Sequence, residues 1–220
     1  GMPIMCPTLS DNGMNDLAYT LLLNEEYPGW LHEILLGATT VWERWNSLDE
    51  EGHISSTGMN SLNHYSYGSV VEWVYRYVLG FRVDEADPGA KHLNIAPSYN
   101  WNLKEAAGNF DSAAGNYKVA WKIVDPTQVS LSVQVPFDAS ADIVLADAVE
   151  DTYADKENPL FADVCDGVCH VGSGTYEITY QVKTALKKSY STYSTVRELR
   201  SNAAIVKDLG EKMGLDRMPT

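Results

Sequence analysis

"GATTVWERWNSLDEEGH", residues 37–53, sets Trp42, Glu43, Arg44 and Trp45 side by side, behind two threonines and ahead of an acidic run. This order suits neither an ordinary helix nor an ordinary strand. On a helix the two indoles would point about 60° apart with charges between them. On a strand Trp42 and Arg44 would share one face, mixing an indole with a guanidinium. Two indoles flanking a carboxylate do suit a site that holds a sugar, where flat apolar plates lie beside a fixed charge. The stretch therefore reads as a long loop, of the kind that carries function more often than packing.

The totals narrow the partners. With 220 residues the chain can bury a real core, as one large domain or two small ones. Hydrophobic residues make up 45% and charged residues 21%, an ordinary globular balance. A net charge of −14 repels phosphate backbones and anionic lipid, so neither nucleic acid nor a membrane surface is expected as a partner. A neutral sugar meets no such penalty. No apolar run reaches the length of a membrane span. The N-terminus lacks a basic stretch followed by an apolar one, so no signal peptide is expected, and Gly1 before Met2 reads as the remnant of a cleaved tag. Cys6, Cys165 and Cys169 are too few for a disulfide framework. "CDGVCH" offers Cys165, Cys169 and His170 as soft ligands but misses the usual zinc spacing. A turn around Asp166-Gly167, with packed thiols or a cross-hairpin disulfide, is the expectation there, and no metal is assigned.

Along the chain the grammar changes near residue 86. Before it, Met14, Leu17, Ala18, Leu21 and Leu22 fall on one helix face, with Asp11 or Asn12 as a candidate cap. Trp30, Ile34 and Leu35 predict a short helix stopping at Gly37. A third helix is expected from about Asn60 to Gly80, with Val70, Val74, Tyr77, Val78 and Phe81 as its stripe. After "DEADPGA", short alternating runs such as "KHLNIAP", "NYKVAWKIV", "QVSLSVQVP", "ADIVLADA" and "GTYEITYQV" predict antiparallel strands of a sandwich. From about residue 190 helix returns, with Thr195 and Glu198 at capping-box spacing and Val196, Leu199, Val206 and Leu209 as a weak stripe. The expected domains are 1–86, 87–186 and a short helical tail over 187–220.

"AYTLLLNEEYPGWLHEILLGATTVWERWNS" (18–47), "MNSLNHYSYGSVVEWVYRYVLGF" (59–81), "PGAKHLNIAP" and "GNYKVAWKI" together resemble the C-terminal part of bacterial α-L-rhamnosidases, glycoside hydrolase family 78. The resemblance covers roughly residues 14–182 and implies an α+β multidomain fragment. Its parts would be the last helices of a partial (α/α)6 six-hairpin barrel, then an antiparallel β-sandwich, then the tail. It implies a glycoside hydrolase that removes terminal α-L-rhamnose with inversion, which needs two carboxyl groups about 6.5–9.5 Å apart and no cofactor. Glu43 falls where the family keeps its general base, Trp42 and Trp45 where its pocket is lined, and His64 at a position that contacts sugar hydroxyls. Arg44 joins them as a substrate-side candidate. The family's general acid lies in the first half of the barrel, upstream of anything in these residues, so the chain alone is expected to be inactive. Barrel helices without their neighbours would leave apolar surface to be covered by a second copy or by the sandwich.

Other readings compete for the same residues. Glu43 could be a surface carboxylate paired with Arg44, the indoles core plates, and His64 a helix-start residue. Asp49, Glu50 and Glu51 read as a solvated loop with a supporting role at most, and no calcium cluster is evident. His32, His53, His92 and His170 carry no functional signal, and Trp73 and Trp121 read as core. The chain could also be a non-catalytic carbohydrate-binding or structural remnant, or a six-hairpin glycosidase of other specificity.

Overall fold

The computed structural model describes residues 2–56, 58–152, 164–188, 190, 194 and 196–213. They form two compact units, Gly1–Leu186 and Lys187–Thr220. None of the described helices is long and apolar enough to cross a membrane.

The first unit opens with helices α1 (Met2–Asp11), α2 (Asn15–Leu22) and α3 (Trp30–Leu35). After a long loop come α4 (Tyr65–Gly68) and α5 (Val70–Trp73), continued by a π-helical turn over Val74–Val78. Helix α1 is absent from the sequence reading because Pro7 sits inside it and removes a helical donor. Tertiary bonds hold it instead. Ser10 accepts from the Trp73 indole at 2.7 Å, and Asp11 accepts from the Tyr77 hydroxyl at 2.5 Å. Asp11 thus ends α1 and does not cap α2, whose start at Met14 has no side-chain cap. The expected helix from Asn60 begins at Tyr65, capped by His64, and Phe81 has left it for a strand. The expected apolar face of α3 is also corrected. Trp30 and Glu33 are buried, whereas Ile34 and Leu35 are 60% and 66% exposed.

Among the described residues eight strands follow: β1 (Phe81–Arg82), β2 (His92–Ile95), β3 (Glu105–Ser112), β4 (Gly115–Asp125), β5 (Gln128–Val135), β6 (Ser140–Val144), β7 (Val168–Val171) and β8 (Gly174–Gln181). They make two four-stranded sheets, ordered β1-β2-β6-β7 and β3-β4-β5-β8. All pairs are antiparallel except β2 with β6, where His92 to Ile95 run alongside Ser140 to Ile143 in parallel. In β5 the alternation is strict, with Val129, Leu131, Val133 and Val135 turned inward. Strand β3 escapes a sequence reading because "EAAGNFDS" has no β-branched residue. Its full-length pairing with β4, from Glu105↔Lys122 to Ser112↔Gly115, supplies what propensity lacks.

The "CDGVCH" segment is a tight turn in which Asp166 (φ 51) and Gly167 (φ 76) both take the left-handed conformation, as a type I′ hairpin requires. Cys169 is buried and His170 exposed, so adjacent residues of β7 point to opposite faces. Cys165 and Cys169 are free, and burial pushes the Cys169 thiol up to about 11.

One core runs through helices and sheets, joining Ala18, Tyr19, Trp30, Trp73 and Tyr77 to Leu93, Ile95, Tyr117, Trp121 and Tyr180. Polar bonds stitch the seam. The Trp121 indole donates to the Val78 carbonyl at 2.7 Å, the Tyr19 hydroxyl to Ser98 O at 2.6 Å, and the Asn100 amide to Asp16 at 2.8 Å. In the tail unit, α6 (Val196–Arg200) and α7 (Ala203–Met213) are short. Thr195 of the expected capping box lies outside the described residues, while Asn202 caps α7 by accepting from the Ala204 and Ile205 amides.

Gly80 crosses from helix to sandwich at φ +83, where an added Cβ would lie 2.3 Å from Pro97 N and 2.4 Å from Ala96 C. Gly80→Ala is expected to cost about 3 kcal/mol, combining left-handed strain with overpacking against backbone. Gly13→Ala, at φ +75 with open space around it, should cost only about 1 kcal/mol. Urea unfolding midpoints of the two variants compare them directly.

Candidate active site

Between Gly37 and His64 the described residues have almost no regular structure, and their shape comes from a few pinned positions. Two segments run antiparallel among them. The Glu43 amide donates to Ser61 O at 2.9 Å, the His64 amide donates to Val41 O at 2.8 Å, and the Thr40 hydroxyl donates to Leu62 O. The Glu43 carboxylate closes the same ladder by accepting from the Ser61 amide at 2.8 Å. Ser47 is the hub of the loop. Its buried hydroxyl donates to Asn60 at 2.7 Å and accepts from the Arg44 amide at 3.2 Å, and its carbonyl accepts from the Asn60 side chain and the Ser55 amide.

Glu43 and His64 are therefore brought onto neighbouring segments, both half-buried. The His64 Nδ1 accepts from the Ser66 amide at 3.2 Å and its ring stacks on Tyr65. An imidazole that accepts at Nδ1 carries its proton on Nε2, for which no hydrogen bond occurs among the described residues. Arg44 donates to the Met59 carbonyl at 2.9 Å, and among the described residues no ion pair joins it to Glu43. The two indoles part company. Trp42 is only 2% exposed, so its ring is a core plate with no face toward solvent. Trp45 is half-buried, stacked on Tyr67 at 3.9 Å with an edge-on contact to Trp30 at 5.1 Å.

Three features were not legible in the sequence. Ser47 and Asn60 are common loop residues with no motif around them. Asp49, Glu51 and His53 bring ligand atoms within 4.8 Å of one another, all three exposed. They could share a cation, but the His53 amide already occupies Asp49 and holds its carboxyl below the usual range. Glu33 is the third. It is 2% exposed, its Oε2 accepts from the Trp42 amide at 3.2 Å, and its Oε1 has no hydrogen-bond partner among the described residues. Burial pushes its carboxyl up to about 7, against the opposing pull of the Trp42 amide.

Residues 1–78 match the family described as bacterial alpha-L-rhamnosidase 6 hairpin glycosidase domain, and residues 80–159 the bacterial alpha-L-rhamnosidase C-terminal domain. An alpha-L-rhamnosidase of Alteromonas sp. (strain LOR) is 41% identical over 144 residues, which is 66% of this chain and 15% of that protein. One of Formosa agariphila is 38% identical over 159 residues, 72% of this chain and 17% of its own length. The crystal structure of Streptomyces avermitilis alpha-L-rhamnosidase complexed with L-rhamnose superposes with a TM-score of 0.68 at 32% identity, covering 81% of this chain and 17% of that one. The chain thus spans less than a fifth of the length of these relatives.

Glu33 makes stability depend on pH. Its folded value lies above the ordinary 4.5, so between about 4.5 and 7 the folded state binds more protons than the unfolded state. This contribution is complete below that window and is lost as pH rises through it. Glu33→Gln cannot ionise and has no such slope. From pH 4 to pH 8 its stability relative to the parent chain should improve by about 3 kcal/mol, read from urea unfolding at each pH.

Proposed function

Because the chain belongs to the bacterial α-L-rhamnosidase family, we propose that it supplies the base side of a site that removes terminal α-L-rhamnose by inverting hydrolysis. Glu43 is the general base. The support for this reading is the way its carboxylate is held: one oxygen fixed by the Ser61 amide, half-buried, on a loop pinned at both ends. A base of this kind needs a set direction toward its water and a carboxylate that stays ionised.

Around it, the Trp45–Tyr67 stack forms the apolar wall for the sugar's C–H surface and methyl group. Trp42 is buried beside Glu43 in sequence and holds the loop from inside through the hydrogen bond from its amide to Glu33. His64 offers its Nε2 hydrogen to a sugar hydroxyl, and Arg44 ties the Met59 segment to the rim. The general acid that protonates the leaving oxygen belongs to sequence beyond these residues, in the part of the six-hairpin domain that the relatives have in addition. No cofactor enters, since the reaction needs only water and two carboxyl groups.

The test is hydrolysis of 4-nitrophenyl α-L-rhamnoside. The 220-residue chain should release no nitrophenol. In a chain of the relatives' full length that includes these residues, Glu43→Gln should lower kcat by about 10²–10⁴. An unchanged kcat would remove Glu43 from the chemistry, and faster turnover of other aryl glycosides would remove rhamnose as the substrate.

Leu17 on α2 and Ile34 and Leu35 on α3 stand exposed, as barrel helices do when their neighbours are absent. This apolar surface is to be covered by the rest of a six-hairpin domain or, in the 220-residue chain, by a second copy. Light scattering after size exclusion should show self-association that grows with concentration. A clean monomer at high concentration would count against it.

A further inference from the structure

Glu33 is a buried carboxyl group with no counter-charge among the described residues. It projects from α3 behind the long loop, and its bond into that loop goes to the Trp42 amide at 3.2 Å. Its second oxygen is buried and has no partner among the described residues, which an ionised carboxylate tolerates poorly. Trp42 is one peptide from Glu43. The Glu43 amide and carboxylate both bind Ser61, so any change in the pull on Trp42 reaches the Glu43 carboxylate through a short, continuous set of bonds.

We propose that Glu33 is a positioning residue for Glu43: through the Trp42 amide its carboxyl sets where the Glu43 carboxylate stands, and gain or loss of one proton at Glu33 resets that position. The ionised form accepts from Trp42 in a strong charge-assisted bond and draws the peptide inward. The protonated form accepts more weakly and lets the loop relax toward Ser61. The neighbours leave this proton to Glu33. Tyr67 on α4 is the titratable side chain that feels its charge, and burial chiefly, then that charge, raises the Tyr67 phenol. Asp16 and Tyr19 on α2 are committed to Asn100 and Ser98. His32 on α3 lies edge-on to Tyr27, His64 is bound to the Ser66 amide, and Arg44 and Glu43 bind Met59 and Ser61. The raised carboxyl of Glu33, at about 7, puts the transition in a range where its effect is open to measurement. The consequence for turnover rests on Glu43 being the base; the coupling itself does not.

The experiment is an NMR pH titration of the 220-residue chain, following the Glu33 side-chain carboxyl carbon and the Trp42 and Ser61 amides. All three should share one midpoint near 7, and in Glu33→Gln that transition should vanish from both amides. A transition that persists there has another source and overturns the proposal. So does a Ser61 amide that stays silent while Glu33 titrates, or a Glu33 carboxyl that titrates like a solvated one; both are read on the unsubstituted chain, whether or not the variant folds. A shared midpoint alongside full rhamnoside hydrolysis by Glu43→Gln in a chain of the relatives' full length would uphold the positioning role and sink only the base assignment.

Discussion

A residue without a side chain at position 80 is the constraint on which the first unit turns. The backbone there swings from the π-helical turn into β1 and passes so close to Ala96 and Pro97 that no Cβ fits between them. That approach lets the Ala96 amide bond Gly80 O and the Ser98 amide bond Tyr77 O, both at 2.9 Å. It also sets the Val78 carbonyl against the Trp121 indole. The helices are few and short, too little to bury a core among themselves. They lean on the sandwich, and Trp73 and Tyr77 enter the same apolar cluster as Leu93 and Tyr117.

The loop of the candidate site works by a different economy. Val41, Trp42 and Trp45 tether it to the apolar interior, and between them its form comes from hydrogen bonds at Ser47, Ser61 and Val41. Each such bond contributes about 1 kcal/mol net, but leaving a buried group such as the Ser47 hydroxyl unpaired costs more. The loop is therefore held in one shape by satisfaction of polar groups more than by packing. Such a scaffold holds a carboxylate in a fixed direction while leaving it partly hydrated.

How much of this could be read from residues alone depends on whether the signal was local. The sandwich strands were legible because Val129, Leu131, Val133 and Val135 alternate whatever their partners are. The parallel run of β2 beside β6 was not, since alternation looks the same in either direction. The loop was legible because two indoles around a charge pair fit no regular element, and the place of Glu43 and His64 came from resemblance. Glu33 was invisible for the opposite reason. A glutamate beside isoleucine and leucine in a short helix reads as the wet face, and only the tertiary fold turns α3 so that Glu33 goes in and Ile34 and Leu35 come out. Helix α1 was hidden by Pro7, whose local penalty is offset by bonds to Trp73 and Tyr77 more than sixty residues away.

The shared core at the seam bears on how proteins of this family can be recombined. The two family matches meet at residues 78 and 80, yet the contacts that bind the pieces, Tyr19 to Ser98, Asp16 to Asn100 and Val78 to Trp121, straddle that junction. A C-terminal sandwich transplanted from one family member to another would arrive with its half of these pairs. It would be accepted only where the recipient's helices present the matching hydroxyl, carboxylate and carbonyl at the same depth, so the junction in sequence is not a junction in physics.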